Sequence, residues 1–229
     1  MFFYDPTFLL LIPALILAVW AQVKVSAAFS EYSRFRASVG LTGSQLAMRL
    51  LEIAGIYNVR VEAMPGHLTD HYDPRNKVVR LSSATYASQS VAALGVVAHE
   101  IGHAIQDAQK NPLLVFRTIL APVASFGSSL AWILFIMGII FAVPGLWQFG
   151  IVLFSLAVLF SLVTLPVEYD ASRKALKLLR ENLLMSEEEL RGVKKVLSAA
   201  ALTYVAATAT AVLQLLRMLL IAGAFGRRD

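Results

Sequence analysis

Along the chain, long uncharged apolar runs alternate with segments in which charges return. The first run, 8–21, is short for a membrane span and reaches spanning length once Phe2, Phe3, Tyr4 and Gln22 are taken as interfacial. No Lys or Arg precedes it and Lys24 follows it. That order predicts an uncleaved anchor with its N-terminus outside, since a signal peptide carries a positive leading region. Residues 118–167 contain no charge, which is room for two helices of roughly 20 residues. The turn between them is expected at Val143-Pro144-Gly145-Leu146-Trp147-Gln148. Arg117 before this hairpin and Arg173, Lys174, Lys177 and Arg180 after it predict that both feet are cytoplasmic. The last run, 196–225, gives two answers. Its length and its many alanines suit a packed span, whereas Arg217, Arg227 and Arg228 fall on the wrong side for one.

Between the first run and the hairpin the pattern turns soluble-looking. Thr42 and Gln45 form a capping-box pair that opens a helix through Leu46, Ala47, Leu50, Leu51 and Ala54, with Gly55 to end it. Two β-like runs follow, 58–64 and 77–81, separated by Pro65-Gly66 and Asp73-Pro74. The run 77–82 suits either an edge strand that pairs with an extended peptide or an ordinary strand of a small sheet. A helix over 89–109 is stopped at Asn111-Pro112, and Ser186 with Glu189 opens a further, cytoplasmic helix. The expected division is 1–22 as anchor, 23–116 as a cytoplasmic part, 117–167 as the hairpin and 168–229 as the returning helices.

Composition agrees with the pattern. Of 229 residues 58% are apolar and only 15% charged, which places the chain in the membrane class. With no cysteine, disulfides, iron-sulfur clusters, thiolate zinc sites and thiol nucleophiles are excluded, and any metal must be held by His and carboxylates. The net charge of +5 sits mainly in segments flanking the apolar runs, without an aromatic-interleaved basic motif, so it reads as membrane topology and not as a nucleic-acid surface.

One short segment carries chemistry. In His99-Glu100-Ile101-Gly102-His103 the histidines are four apart, so on a helix both imidazoles reach one ion while Glu100 stands beside them to take a proton from a metal-polarised water. Val91, Leu94, Val97, Ala98, Ile101 and Ala104 supply the apolar face such a helix needs. The bland alternative is a pair of hydrogen-bonded core histidines. A catalytic zinc needs three protein ligands and an open position. Glu168 is the first charge after Arg117, and pairing of the hairpin helices would return it toward His99 and His103. It competes with Asp170 as the third donor, and with a reading in which Glu168 caps a helix end or pairs with Arg173. His67 and His71 are also four apart, but Pro65, Gly66 and Pro74 surround them. A second metal, or an oxyanion-stabilising role for His71 or Tyr72, stands against plain turn residues bonded to Asp70 and Asp73.

The segments 66–74, 98–103 and 165–172 together resemble the YugP-type membrane zinc metallopeptidases over essentially the whole chain, with the middle one the specific signal. The order of zinc helix, transmembrane hairpin and downstream glutamate is more distantly similar to the HtpX-like gluzincins. That resemblance implies zinc on His99, His103 and Glu168. It also marks a departure, because the HtpX-like pattern has an Asp where this chain has Ser172. Ser172, or Asp170 from another helix face, is then expected to hold a ligand in place.

The resulting expectation is a mainly α membrane protein with three or four transmembrane helices and a small α+β zincin-like cytoplasmic portion. Its expected activity is zinc-dependent hydrolysis of protein or peptide substrates, with Glu100 as the catalytic base and the site facing the cytoplasm. The alternative is a catalytically silent membrane scaffold or adaptor with a structural zinc. Intramembrane proteolysis fits less well, because the apolar stretch before His99 covers only 91–98 and polar Gln106, Asp107 and Lys110 follow. A di-iron oxidase needs more histidines than the four present.

Overall fold

The computed structural model describes residues 6–225. Phe2, Phe3 and Tyr4, expected at an interface, and Arg227 and Arg228 lie outside the described residues. The chain is mostly helical. A 3-10 turn (Pro6–Leu11) leads into α1 (Ile12–Tyr32), followed by α2 (Gly43–Ile53), β1 (Arg60–Met64), β2 (His71–Asp73), β3 (Val78–Ser82), α3 (Ser83–Tyr86), α4 (Val91–Ala108), α5 (Pro112–Ile140), α6 (Pro144–Glu181) and α7 (Glu187–Phe225). Four segments are long and apolar enough to cross a membrane: Pro6–Tyr32, Pro112–Ile140, Pro144–Glu181 and Glu187–Ala224. The last apolar run therefore belongs to a fourth spanning-length helix.

The chain divides into two compact units, one of Met1–Ala21, Val115–Leu165 and Thr203–Asp229, the other of Gln22–Leu114 and Pro166–Leu202. In the first, Phe135, Met218 and Ala222 are buried with Trp132, Trp147 and Ile151 packed around them. The hairpin turn is shorter than Val143 to Gln148. It occupies the residues between Ile140 and Pro144, and Pro144 begins α6, where its missing N–H costs nothing and its fixed φ favours helix. Gly138 and Gly150 let the two helices touch: a Cβ on Gly138 would lie 2.4 Å from the Trp147 amide nitrogen. Arg217, which argued against a span, has its guanidinium 5.7 Å from the Phe8 ring and 5.4 Å from the Trp132 ring, and donates to Thr7 Oγ1 at 3.2 Å. Aromatic faces and a hydroxyl thus accommodate the charge.

The second unit holds the sheet and α4. Thr42 caps α2 as expected, its side chain accepting from the Gln45 amide while the Gln45 side chain accepts from the Thr42 amide. Ala54 closes the helix and Gly55 follows at φ 68°, a conformation that favours glycine. The sheet order is β1-β3-β2, with β1 parallel and β2 antiparallel to β3. This corrects the edge-strand expectation for 77–82. Val78, Val79, Leu81 and Ser82 are fully buried, so the most apolar strand takes the centre and the short β2 becomes an edge. β2 escaped the sequence pattern because His71-Tyr72-Asp73 is polar and only three residues long.

Ser90 caps α4, accepting from the Ala93 amide. The face predicted to be apolar is buried throughout: Leu94, Val97, Ala98 and Ile101 have no exposure. Ser186 and Glu189 form the second capping box, but the helix they open runs without interruption into the last apolar segment.

Candidate metal centre

α4 carries His99 and His103 one turn apart, with ring centroids 4.8 Å apart and edge to face. α6 carries Glu168, and nothing in α4 alone could bring it there. Gly102 makes the approach possible, since a Cβ at that position would lie 2.4 Å from the carbonyl oxygen of Ala171. With hydrogen at that point, α6 lies against α4 and the buried Glu168 carboxylate meets both rings. Glu168 Oε2 is 3.1 Å from His99 Nε2 and 3.5 Å from His103 Nε2. One donor atom from each of the three residues lies within 4.8 Å of the others, and among the described residues this is the group of three able to hold a metal ion. The reading in which Glu168 pairs with Arg173 does not hold, because Arg173 pairs with Asp170 at 2.7 Å.

The far nitrogen of each ring is already engaged. Ser172 Oγ lies 3.1 Å from His99 Nδ1, and Gln106 Oε1 lies 2.9 Å from His103 Nδ1. This leaves the two Nε2 atoms facing the glutamate, the donor set and orientation that suit a divalent ion preferring nitrogen and carboxylate oxygen. Ser172 and Asp170, the two alternatives for holding a ligand in place, both connect to the histidines, by different routes. Ser172 reaches His99 directly, and Asp170 reaches His103 through Gln106, whose amide nitrogen donates to Asp170 Oδ2 at 2.9 Å and to the Val167 carbonyl at 2.8 Å. Sequence reasoning passed over Gln106 as a supporting residue. The available signal was a polar residue three positions after His103 and seven after His99, which puts it on the face of α4 that carries both histidines.

Glu100 is buried and receives the backbone N–H of Tyr72 on its Oε2 at 2.8 Å. Burial pushes its carboxyl above the usual carboxylate range, opposed by His99 and by the Tyr72 amide and reinforced by Glu168 and Asp70. The Tyr72 hydroxyl donates to Asp107 Oδ2 at 2.5 Å, and Lys77 pairs with the same oxygen. Burial first and the Asp107 carboxylate second hold the phenol above its ordinary value, so it remains a protonated donor. His71 Nδ1 lies 2.9 Å from the Thr69 carbonyl, and the His67 ring packs edge-on against Phe29. His67 and His71 thus make separate contacts. The acids expected to bind them are occupied elsewhere, Asp70 by Ser82 and Thr85, Asp73 by Asn76 and Arg80.

Fold and donor set together define a multi-pass membrane protein with a metal-binding group of two histidines and one glutamate. The chain belongs to the family described as "Putative neutral zinc metallopeptidase", whose model matches residues 7–223. It is 47% identical over 212 residues to "Putative membrane protease YugP" of Bacillus subtilis (strain 168), an alignment covering 93% of this chain and 94% of that protein. No solved structure matches the chain. The family's metal is zinc, and the three residues present fit it in number, type and orientation.

Proposed function

We propose that the chain is a membrane-anchored zinc endopeptidase of the gluzincin kind, with His99, His103 and Glu168 as ligands and Glu100 as the catalytic base. The observation that carries this reading is the convergence of two α4 histidines and one α6 glutamate on a single point, each imidazole held from behind and a buried carboxylate beside them. Bound zinc supplies Lewis-acid polarisation of a water and of the scissile carbonyl. Glu100 takes the proton from that water and passes it to the departing amine. Burial raises the proton affinity of this carboxyl, which suits a group that first takes a proton and then passes it on. The Tyr72 amide fixes one carboxylate oxygen and leaves the other for the proton. β2 gives an extended substrate a sheet edge beside Glu100, the role first considered for the strand at 77–82.

The charge distribution supports a site facing the cytoplasm. Arg173, Lys174, Lys177 and Arg180 follow Glu168 within a few helical turns, whereas the short link between α5 and α6 carries no charge. The test is purified wild type beside Glu100→Gln, with bound zinc and cleavage of an unfolded protein measured on the same samples. Zinc in both with cleavage only in wild type is the expected result. Cleavage by Glu100→Gln at the wild-type rate would overturn the role of Glu100, and zinc in both with cleavage in neither would favour a structural zinc.

A further inference from the structure

We propose that Gln106 dictates which nitrogen of His103 faces the metal: it accepts the proton of Nδ1, and Val167 and Asp170 hold its amide so that no other arrangement is available. The inference rests on the metal-centre reading above, and it concerns how one ligand is preset for the ion.

Gln106 is fully buried. At one end of its amide stand two acceptors, the Val167 carbonyl at 2.8 Å and Asp170 Oδ2 at 2.9 Å. A carbonyl has no hydrogen to give. Asp170 offers none either, because both of its oxygens already accept from cationic donors, Oδ2 from Lys174 Nζ and Oδ1 from Arg173 Nη2, each at 2.7 Å. The amide end facing these two acceptors must therefore be the NH2, and both of its hydrogens are used. The opposite end, at 2.9 Å from His103 Nδ1, is then the carbonyl oxygen, which has only lone pairs to offer. A hydrogen bond exists there only if Nδ1 carries the hydrogen. In a neutral imidazole that leaves the lone pair on Nε2, the atom 3.5 Å from Glu168 Oε2. Turning the amide over would set its oxygen against a carbonyl and a carboxylate, with nothing to donate in between.

His99 is held differently. The Ser172 hydroxyl at 3.1 Å from His99 Nδ1 can donate or accept, so it steadies the ring without choosing its tautomer. The ordered relay from Lys174 and Arg173 through Asp170 and Gln106 ends on His103 alone. This makes Gln106 and Asp170 positioning residues that act through His103.

The experiment uses the full chain in detergent. Gln106→Glu keeps the length of the side chain and the acceptor for Nδ1, but brings a carboxylate against Asp170 and leaves the Val167 carbonyl without a donor. Zinc affinity should fall on the order of 10- to 100-fold. Adding Asp170→Asn to that variant returns an amide donor opposite the new carboxylate and should recover most of the loss. A second measurement needs no altered relay. With isotope-labelled histidine, the four histidines give few enough resonances to resolve, and His103 is assigned by its absence in His103→Gln. At a pH where the ring is neutral the proton should be found on Nδ1 in the metal-free protein, and it should stay there in the zinc-loaded one. A proton on Nε2, or unchanged zinc affinity in Gln106→Glu, would overturn the proposal. If wild type takes up no zinc, the metal-centre reading fails, and the metal-free spectrum still decides which nitrogen Gln106 protonates.

Discussion

The backbone N–H of Tyr72 donates to Glu100 Oε2 at 2.8 Å, so the carboxylate beside the two histidines is oriented by a strand amide 28 positions before it. The Tyr72 side chain points elsewhere, to Asp107. The contact that matters for Glu100 therefore survives removal of the phenol. Tyr72→Phe should leave cleavage within a few-fold of wild type and lower stability by about 1 kcal/mol, the usual loss for one hydrogen bond whose partner keeps Lys77. Denaturant unfolding and steady-state kinetics on the same preparation check both. A fall in kcat on the order of 100-fold, with zinc retained, would instead place the phenol on the reacting carbonyl.

Gly102 stands where α4 and α6 are closest. A methyl at that position meets a backbone oxygen, that of Ala171, at 2.4 Å, and no side-chain rotation relieves it. α6 must then move back, and Glu168 lies one turn before Ala171 on the same helix. Gly102→Ala should lower stability by about 1–3 kcal/mol despite the better helix propensity of alanine, and should weaken zinc binding along with it. The matching substitution at Gly145, where an added Cβ meets nothing, should do neither. Equal zinc affinity in Gly102→Ala and wild type would show that the approach of the helices is not what positions the glutamate.

Legibility in the sequence followed the range of the forces involved. Capping boxes at Thr42 and Ser186 are local hydrogen bonds between residues three apart, and both formed as the pattern implied. The α4 face was readable because burial of Val91, Leu94, Val97 and Ile101 imposes the helical period. Glu168 was reachable through the resemblance and the hairpin, whereas spacing alone left Asp170 as its rival. The relation of Gln106 to Asp170 spans 64 positions and has no periodic signature, so only the packing of α6 on α4 reveals it. The three-residue β2 was missed for a related reason. Its pairing with β3 and its amide bond to Glu100 come from neighbours, not from its own residues.

Asp73 links the turn between β2 and β3. The Asn76 side chain, backbone amides of the turn and Arg80 hold its carboxyl down at about 2 from an ordinary 3.8. Because the folded value is depressed, its contribution is present above the ordinary value and is lost as pH falls toward 2. Wild type should exceed Asp73→Asn in stability by about 1–2 kcal/mol at neutral pH, and that margin should shrink between about pH 4 and pH 2. Parallel denaturant titrations across that window measure it. A margin independent of pH would mean that the ionised carboxylate is not the form the turn requires.

Zinc should stabilise the folded chain by mass action, by about 2.7 kcal/mol when free zinc stands at a hundred times its dissociation constant. Glu168 and Asp170 are two residues apart on α6 but face different partners. Glu168 meets both Nε2 atoms, whereas Asp170 takes Arg173, Lys174 and Gln106. Glu168→Gln replaces an anionic donor with a neutral amide, so the zinc-induced rise in Tm should largely vanish. In Asp170→Asn the remaining carbonyl oxygen can still accept from Gln106, so most of the rise should persist. Thermal melts of the three proteins over a zinc series, each started from chelator-treated material, separate the two carboxylates. A full zinc response in Glu168→Gln together with its loss in Asp170→Asn would move the third ligand to Asp170 and break the geometry on which the centre is built.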